Sequence, residues 1–173
     1  MNLDLKKTKF VKVSDVVIPD VFNQRMKTGI ARIDRAFGGG LIPGTIFTVT
    51  GSPGSGKTTF LLQMFEALAK QGYKTAYASG EECVEMLANT CKRINVKIVE
   101  VANETNIDKL LELTEKYDVI GIDSFASVNS DIKSSRAHEK YCVQELCKLS
   151  KQNECVIGLV LHITKGGMYK GGT

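Results

Sequence analysis

The stretch TIFTVTGSPGSGKTTFLLQM, residues 45–64, constrains the fold of this chain more than any other. Its first six residues are apolar or β-branched, the composition of a strand buried in a parallel sheet. Lys57 to about Gln71 reads as a helix, with Leu61, Met64, Phe65 and Leu68 on its inner stripe and Gly72 as its stop. Between strand and helix lies GSPGSGKTT, a full match to G-x-x-x-x-G-K-[ST] in the context that motif requires. Gly51, Gly54 and Gly56 allow the backbone of Gly51, Ser52, Pro53, Gly54, Ser55, Gly56, Lys57, Thr58 and Thr59 to wrap an anion closely. The positive end of the following helix adds to that attraction. Lys57 is then expected on the β- and γ-phosphates and the Thr58 hydroxyl on magnesium, which makes ATP and Mg2+ the expected ligands. A glycine turn preceding Lys-Thr by chance is the bland alternative, and it accounts for neither flanking element.

The rest of the chain keeps the same rhythm. TGIARIDRAFGGG places Ile30, Ile33 and Phe37 on one helical face, opened by Thr28 and stopped by glycines. Strands are expected at 74–79, 96–101, 118–123 and 155–161, with helices at about 82–94, 106–116 and 134–152 between them. Met86, Leu87 and Cys91 should face inward from the first of these helices, and Leu110, Leu111 and Leu113 from the second. Residues 1–27 lack clear periodicity and read as an N-terminal arm or an edge strand. Such alternation predicts an α/β fold, a mostly parallel central sheet with helices on both faces. Ligands of such sheets bind beyond the carboxyl ends of the strands.

That rule singles out three further sites. VIGIDS ends an apolar strand on Asp123, positioned to hold a metal, although a strand-end Asp also caps following segments. ASGEEC offers Glu81, with Glu82 as the substitute, to polarise an attacking water. The same acids also suit the start of a helix, and the residues alone leave that choice even. LVLH brings His162 to the same rim, where an imidazole can contact a γ-phosphate or simply sit satisfied at a strand end.

Composition adds bounds. At 173 residues, 43% apolar and 24% charged, the chain suits one ordinary globular domain. A net charge of +4 is compatible with a polyanion but does not require one. Five cysteines contain no C-x-x-C pair, so no zinc site is expected. Their odd number, with no secretory signal, points to a cytoplasmic setting. No apolar run approaches the ~20 residues of a membrane span.

Four segments together resemble one family. TGIARIDRAFGGGLIPGTIFTVTGSPGSGKTTFLLQM, YASGEE, VIGIDSFASV and LHITKGG are similar, in order and spacing, to the RecA-type P-loop ATPase core, especially its bacterial RadA/Sms DNA-repair branch. The resemblance covers residues 28–173. It implies an additional-strand sheet in which 155–161 lies between the P-loop strand and the Asp123 strand. It also implies that Glu81 is the catalytic glutamate and His162 the polar group beside the γ-phosphate, acting with Lys57, while Thr58 and Asp123 serve the metal. Two axial loops, about 129–137 and 164–173, hold single-stranded DNA in such relatives. Here Lys133, Arg136, Lys165 and Lys170 could track phosphates without reading bases.

The resemblance has gaps. RadA relatives carry a four-cysteine zinc module before the core, and a Lys-Asn-Arg-Phe-Gly motif and protease-like domain after it. None of these is found in this sequence, and the core is expected to be incomplete at its C-terminus, leaving a sheet edge beside the P-loop strand. The resulting expectation is a homo-oligomeric ring or filament that hydrolyses ATP and acts on single-stranded DNA. The alternatives are a replicative-helicase-like or clock-protein-like ATPase, or a nucleotide-gated assembly module with little turnover.

Overall fold

The computed structural model describes residues 10–132 and 135–162. Five strands form one parallel sheet: β1 (Ile46–Gly51), β2 (Thr75–Ser79), β3 (Glu100–Asn103), β4 (Val119–Asp123) and β5 (Val156–His162). Their order across the sheet is β1-β5-β4-β2-β3, so β5 lies between the P-loop strand and the Asp123 strand as expected. The helices are α1 (Ala31–Ala36), α2 (Lys57–Ala69), α3 (Val84–Arg93), α4 (Ile107–Leu113) and α5 (Ser135–Gln152).

The pleat sorts the strand side chains into two cores, as the period of two requires. Tyr77, Val119, Val156 and Val160 meet Leu61, Phe65 and Leu68 of α2 and Leu87 of α3 on one face. Ala76, Ile120, Ile122, Ile157 and Leu159 meet Leu110 of α4 with Cys142 and Leu146 of α5 on the other. Gly121 and Gly158 sit where two strands need room for aromatic rings. A Cβ on Gly121 would lie 2.7 Å from the Tyr77 ring and 2.8 Å from Phe65, and one on Gly158 would lie 2.8 Å from Phe47.

Several expectations need correction. Met86 is exposed, not inward, because α3 begins at Val84 and its buried face runs through Leu87 and Cys91. Strand β3 starts at Glu100 and not at 96. The segment before it turns at Asn95, with φ of 58°, and gives the Lys97 and Ile98 amides to the Glu66 carboxylate at 3.0 and 2.9 Å. Strand β1 is only half-buried, since among the described residues it pairs with β5 alone and leaves Thr48 and Thr50 exposed. Ile30 lies just before α1, and Thr28 braces that helix instead of capping it: its amide and hydroxyl both donate to Asp34 Oδ1 at 2.7 Å.

Residues 10–25 form no strand. They make two short 3-10 turns, and Met26 then pairs with Leu41 in an antiparallel bridge. No described helix is long and apolar enough to cross a membrane, and all five cysteines are unpaired.

Candidate active site

Strand register brings the candidate residues to one rim. Gly51 at the end of β1 is paired with His162 at the end of β5, and Asp123 at the end of β4 with Ser79 at the end of β2. The segment carrying Glu81 continues directly from β2.

The loop 52–56 is exposed and leaves β1 through left-handed glycines, Gly54 at φ of 75° and Gly56 at 88°, a conformation costly for any residue with a Cβ. A Cβ on Gly51 would meet Ser55 Oγ at 2.6 Å, so a side chain there would displace that hydroxyl. Helix α2 begins with no side-chain cap on its first amides, which suits an anion arriving there. Lys57 is buried, and its ammonium donates to the carbonyls of Gly51 and Ser52 at 3.2 and 3.1 Å. Its charge is thus held at the mouth of the loop.

One hydrogen bond ties this loop to the centre of the sheet: the Thr58 hydroxyl donates to Asp123 Oδ2 at 2.8 Å. With its proton committed there, the Thr58 oxygen keeps lone pairs for a cation. The buried Tyr77 phenol also donates to Oδ2 of Asp123. Burial, reinforced by the Asp123 charge, raises the Tyr77 pKa well above its usual range, so the phenol remains a donor. Both donors take Oδ2 and fix the carboxylate in one orientation. The Asp123–Ser124 peptide bond is cis.

Glu81 and His162 meet across the rim, His162 Nε2 standing 2.8 Å from Glu81 Oε1. Because a carboxylate can only accept, Nε2 carries the proton of this bond. Glu81, Asp123 and His162 each offer a ligand atom within 4.8 Å of the others. Glu81 reaches this position because Ser79 Oγ accepts the amides of both Glu81 and Glu82, at 3.1 and 3.0 Å. That turn holds the two acids outside α3, whose cap is Cys83. Glu82 makes no part of the cluster, although its carbonyl accepts from Asn103 at 3.1 Å. Gly80 is required at the crossing, since a Cβ there would collide with Ser127 Oγ and Thr105.

The donors fit a magnesium nucleotide: hard oxygens from Thr58 and Asp123, an ammonium, and uncapped helix amides at one mouth. Of the four cations expected to touch DNA, Arg136 is exposed at the start of α5. Lys133, Lys165 and Lys170 lie outside the described residues, as does the loop 164–173. The first loop's flanks are anchored: His138 Nδ1 and Ser130 Oγ are 2.6 Å apart, and His138 Nε2 lies 2.8 Å from the Val128 carbonyl.

Sequence reasoning missed Tyr77 and Ser79. In TAYAS the phenol stands at the centre of the strand and the serine hydroxyl at its end, but nothing in that run shows that the phenol reaches Asp123.

Comparison with known proteins gives this geometry a family. The profile of the family described as "ATPase: KaiC" matches residues 26–138, well over half the chain. The chain belongs to the KaiC family of ATPases. This KaiC-family domain is 31% identical over 160 residues to the DNA repair protein RadA of Brucella abortus, covering 85% of this chain and 34% of that protein. To the RadA of Escherichia coli it is 32% identical over 171 residues, covering 94% and 36% respectively. The chain therefore spans about a third of the length of the curated relatives it matches. Its fold matches that of a KaiC-like protein from Pyrococcus horikoshii with a TM-score of 0.69 at 20% identity, over 86% of this chain and 76% of that one. The RecA-like fold and the RadA resemblance expected from the motifs thus both hold.

Proposed function

We propose that this KaiC-family domain binds and hydrolyses magnesium-ATP and couples turnover to single-stranded DNA, as part of a ring or filament of copies. The observation that carries the reading is the Thr58–Asp123 hydrogen bond, which joins the phosphate loop to the strand tip flanked by Glu81 and His162. In this account the loop amides and Lys57 hold the phosphates, and Thr58 and Asp123 hold the metal. Magnesium supplies charge neutralisation on the β- and γ-phosphate oxygens. Glu81 orients the attacking water and accepts its proton. His162 keeps Glu81 engaged at 2.8 Å and is the group positioned to exchange that partner for the γ-phosphate. Tyr77 holds the Asp123 carboxylate in register and touches no substrate.

Support for DNA comes from the relatives named as DNA repair proteins and from the exposed Arg136. The test is phosphate release by purified protein with magnesium-ATP, with and without single-stranded DNA. Stimulation by DNA, lost together with basal turnover in Lys57→Ala, is expected. An assembled, active sample indifferent to DNA would overturn the DNA part of the reading. The Glu81–His162 bond also favours a second reading, a nucleotide-gated assembly module whose base is held out of use. Tight nucleotide binding with negligible phosphate release would select it.

A further inference from the structure

Glu81, Asp123 and His162 arrive from the ends of three adjacent strands and present two carboxylates and one imidazole to a common point. We propose that, in the nucleotide-free chain, this triad binds one zinc-class transition-metal ion. Such an ion would share Asp123 with the magnesium that accompanies ATP but differ from it in chemistry and in its other ligands. The binding itself does not depend on the ATPase reading. Its consequence does: with the Glu81 carboxylate on a metal, no base remains to orient water, and turnover is blocked.

Three observations carry the inference. The ligand atoms stand within 4.8 Å of one another, and the tightest pair, His162 Nε2 and Glu81 Oε1, is 2.8 Å apart. Neighbouring ligands of a tetrahedral zinc ion, bound at about 2.0–2.2 Å, are separated by about 3.4 Å. The cluster must therefore open by about 0.6 Å on one side and close by up to about 1.4 Å at its widest. The Glu81 side chain, 47% exposed, has the freedom to make that adjustment. Second, Asp123 already carries the supporting contacts that metal-binding carboxylates need: Thr58 and Tyr77 both donate to Oδ2 and hold the carboxylate in one orientation. Third, His162 is not fully satisfied. The metal takes the place of the proton that Nε2 donates to Glu81, and that proton passes to Nδ1, a buried atom that meets no hydrogen-bond partner among the described residues.

Ligand chemistry selects the metal class. Magnesium prefers oxygen ligands in an octahedron, whereas an imidazole with two carboxylates suits zinc and its neighbours. The absence of paired cysteines, which argued against zinc from sequence, bears only on thiolate sites.

The experiment titrates Co2+, a coloured substitute for Zn2+, into the untagged, nucleotide-free full chain and follows its visible absorption, then displaces it with Zn2+. One equivalent bound in a tetrahedral nitrogen and oxygen environment is expected. Affinity should fall at least ~10-fold in Glu81→Gln and in His162→Asn, a loss of the size seen when even an outer partner of a metal ligand is removed. It should be unchanged in Cys83→Ser, which removes the exposed thiol two residues after Glu81 in sequence. Lys57→Ala separates the two readings, because it should lose ATP binding and retain the metal. Glu81 is exposed, so Glu81→Gln serves even if His162→Asn misfolds. The proposal is overturned if the wild type binds no Co2+, if Glu81→Gln binds it undiminished, or if a thiolate charge-transfer band appears and disappears with Cys83→Ser.

Discussion

At the scale of single residues, the least expected participant is Tyr77. Its ring packs edge-on against Phe65 at a centroid distance of 6.5 Å, while its hydroxyl donates to the buried Asp123. Tyr77→Phe keeps the packing and deletes one donor to a charged group, a contribution of about 1.5–3 kcal/mol. Denaturant unfolding should show a loss of that order. Phosphate release should fall less than in Asp123→Asn, because Thr58 still orients the carboxylate. An unchanged unfolding midpoint would mean that Tyr77 contributes nothing at this position. The legible part of the site was the part whose chemistry is written in one local run: Gly51–Thr59, where spacing alone specifies a cradle. Tyr77 is a contact between strands distant in sequence, and no local pattern announces it. The sequence put Glu81 first and Glu82 as its substitute, with a helix start an even alternative for both. The turn accepted by Ser79 Oγ separates them, carrying Glu81 to His162 and leaving Glu82 outside the cluster.

At the scale of elements, the strands and helices were readable because their periods differ, and their order and type agree with the alternation expected. Boundaries failed where side chains competed for backbone amides. Glu66 on α2 is the clearest case, taking the Lys97 and Ile98 amides that a longer β3 would have used. Burial raises the Glu66 pKa, but those two amides and Lys70 outweigh it and hold the group below its ordinary value. A carboxylate depressed in the folded state stabilises the fold fully above its unfolded pKa, near 4.5, and loses that contribution as pH falls through the folded value. The stability gap between wild type and Glu66→Gln should therefore be constant near neutrality and narrow on acidification below about 4.5. A gap independent of pH would refute the assignment. Strand β4 carries a second prediction. Gly121→Ala pushes a methyl into Tyr77 and Phe65 at 2.7–2.8 Å. Overpacking of this kind costs about 1–3 kcal/mol, and because Tyr77 is one of the displaced rings, it should also disturb Asp123. Melting and phosphate release should fall together, whereas a loss of stability alone would show that the ring moves without its hydroxyl.

At the scale of the whole molecule, strand order does the assembling. With β5 between β1 and β4, the phosphate loop, His162 and Asp123 end on three neighbouring strands, and β2 adds Glu81 from the next. That convergence could be expected from motif order only through the family resemblance, since strand order is not encoded in any local pattern. The described molecule also holds Glu81 and His162 together, so the carboxylate proposed as the base is engaged by the imidazole. The measurement closest to the heart of this account compares ATP binding and single-turnover phosphate release in wild type and Glu81→Gln. Unchanged nucleotide affinity with release slowed on the order of 10²–10⁴-fold is the expected result for loss of a general base. Release at the wild-type rate, or a loss of nucleotide binding as severe as that of Lys57→Ala, would contradict it.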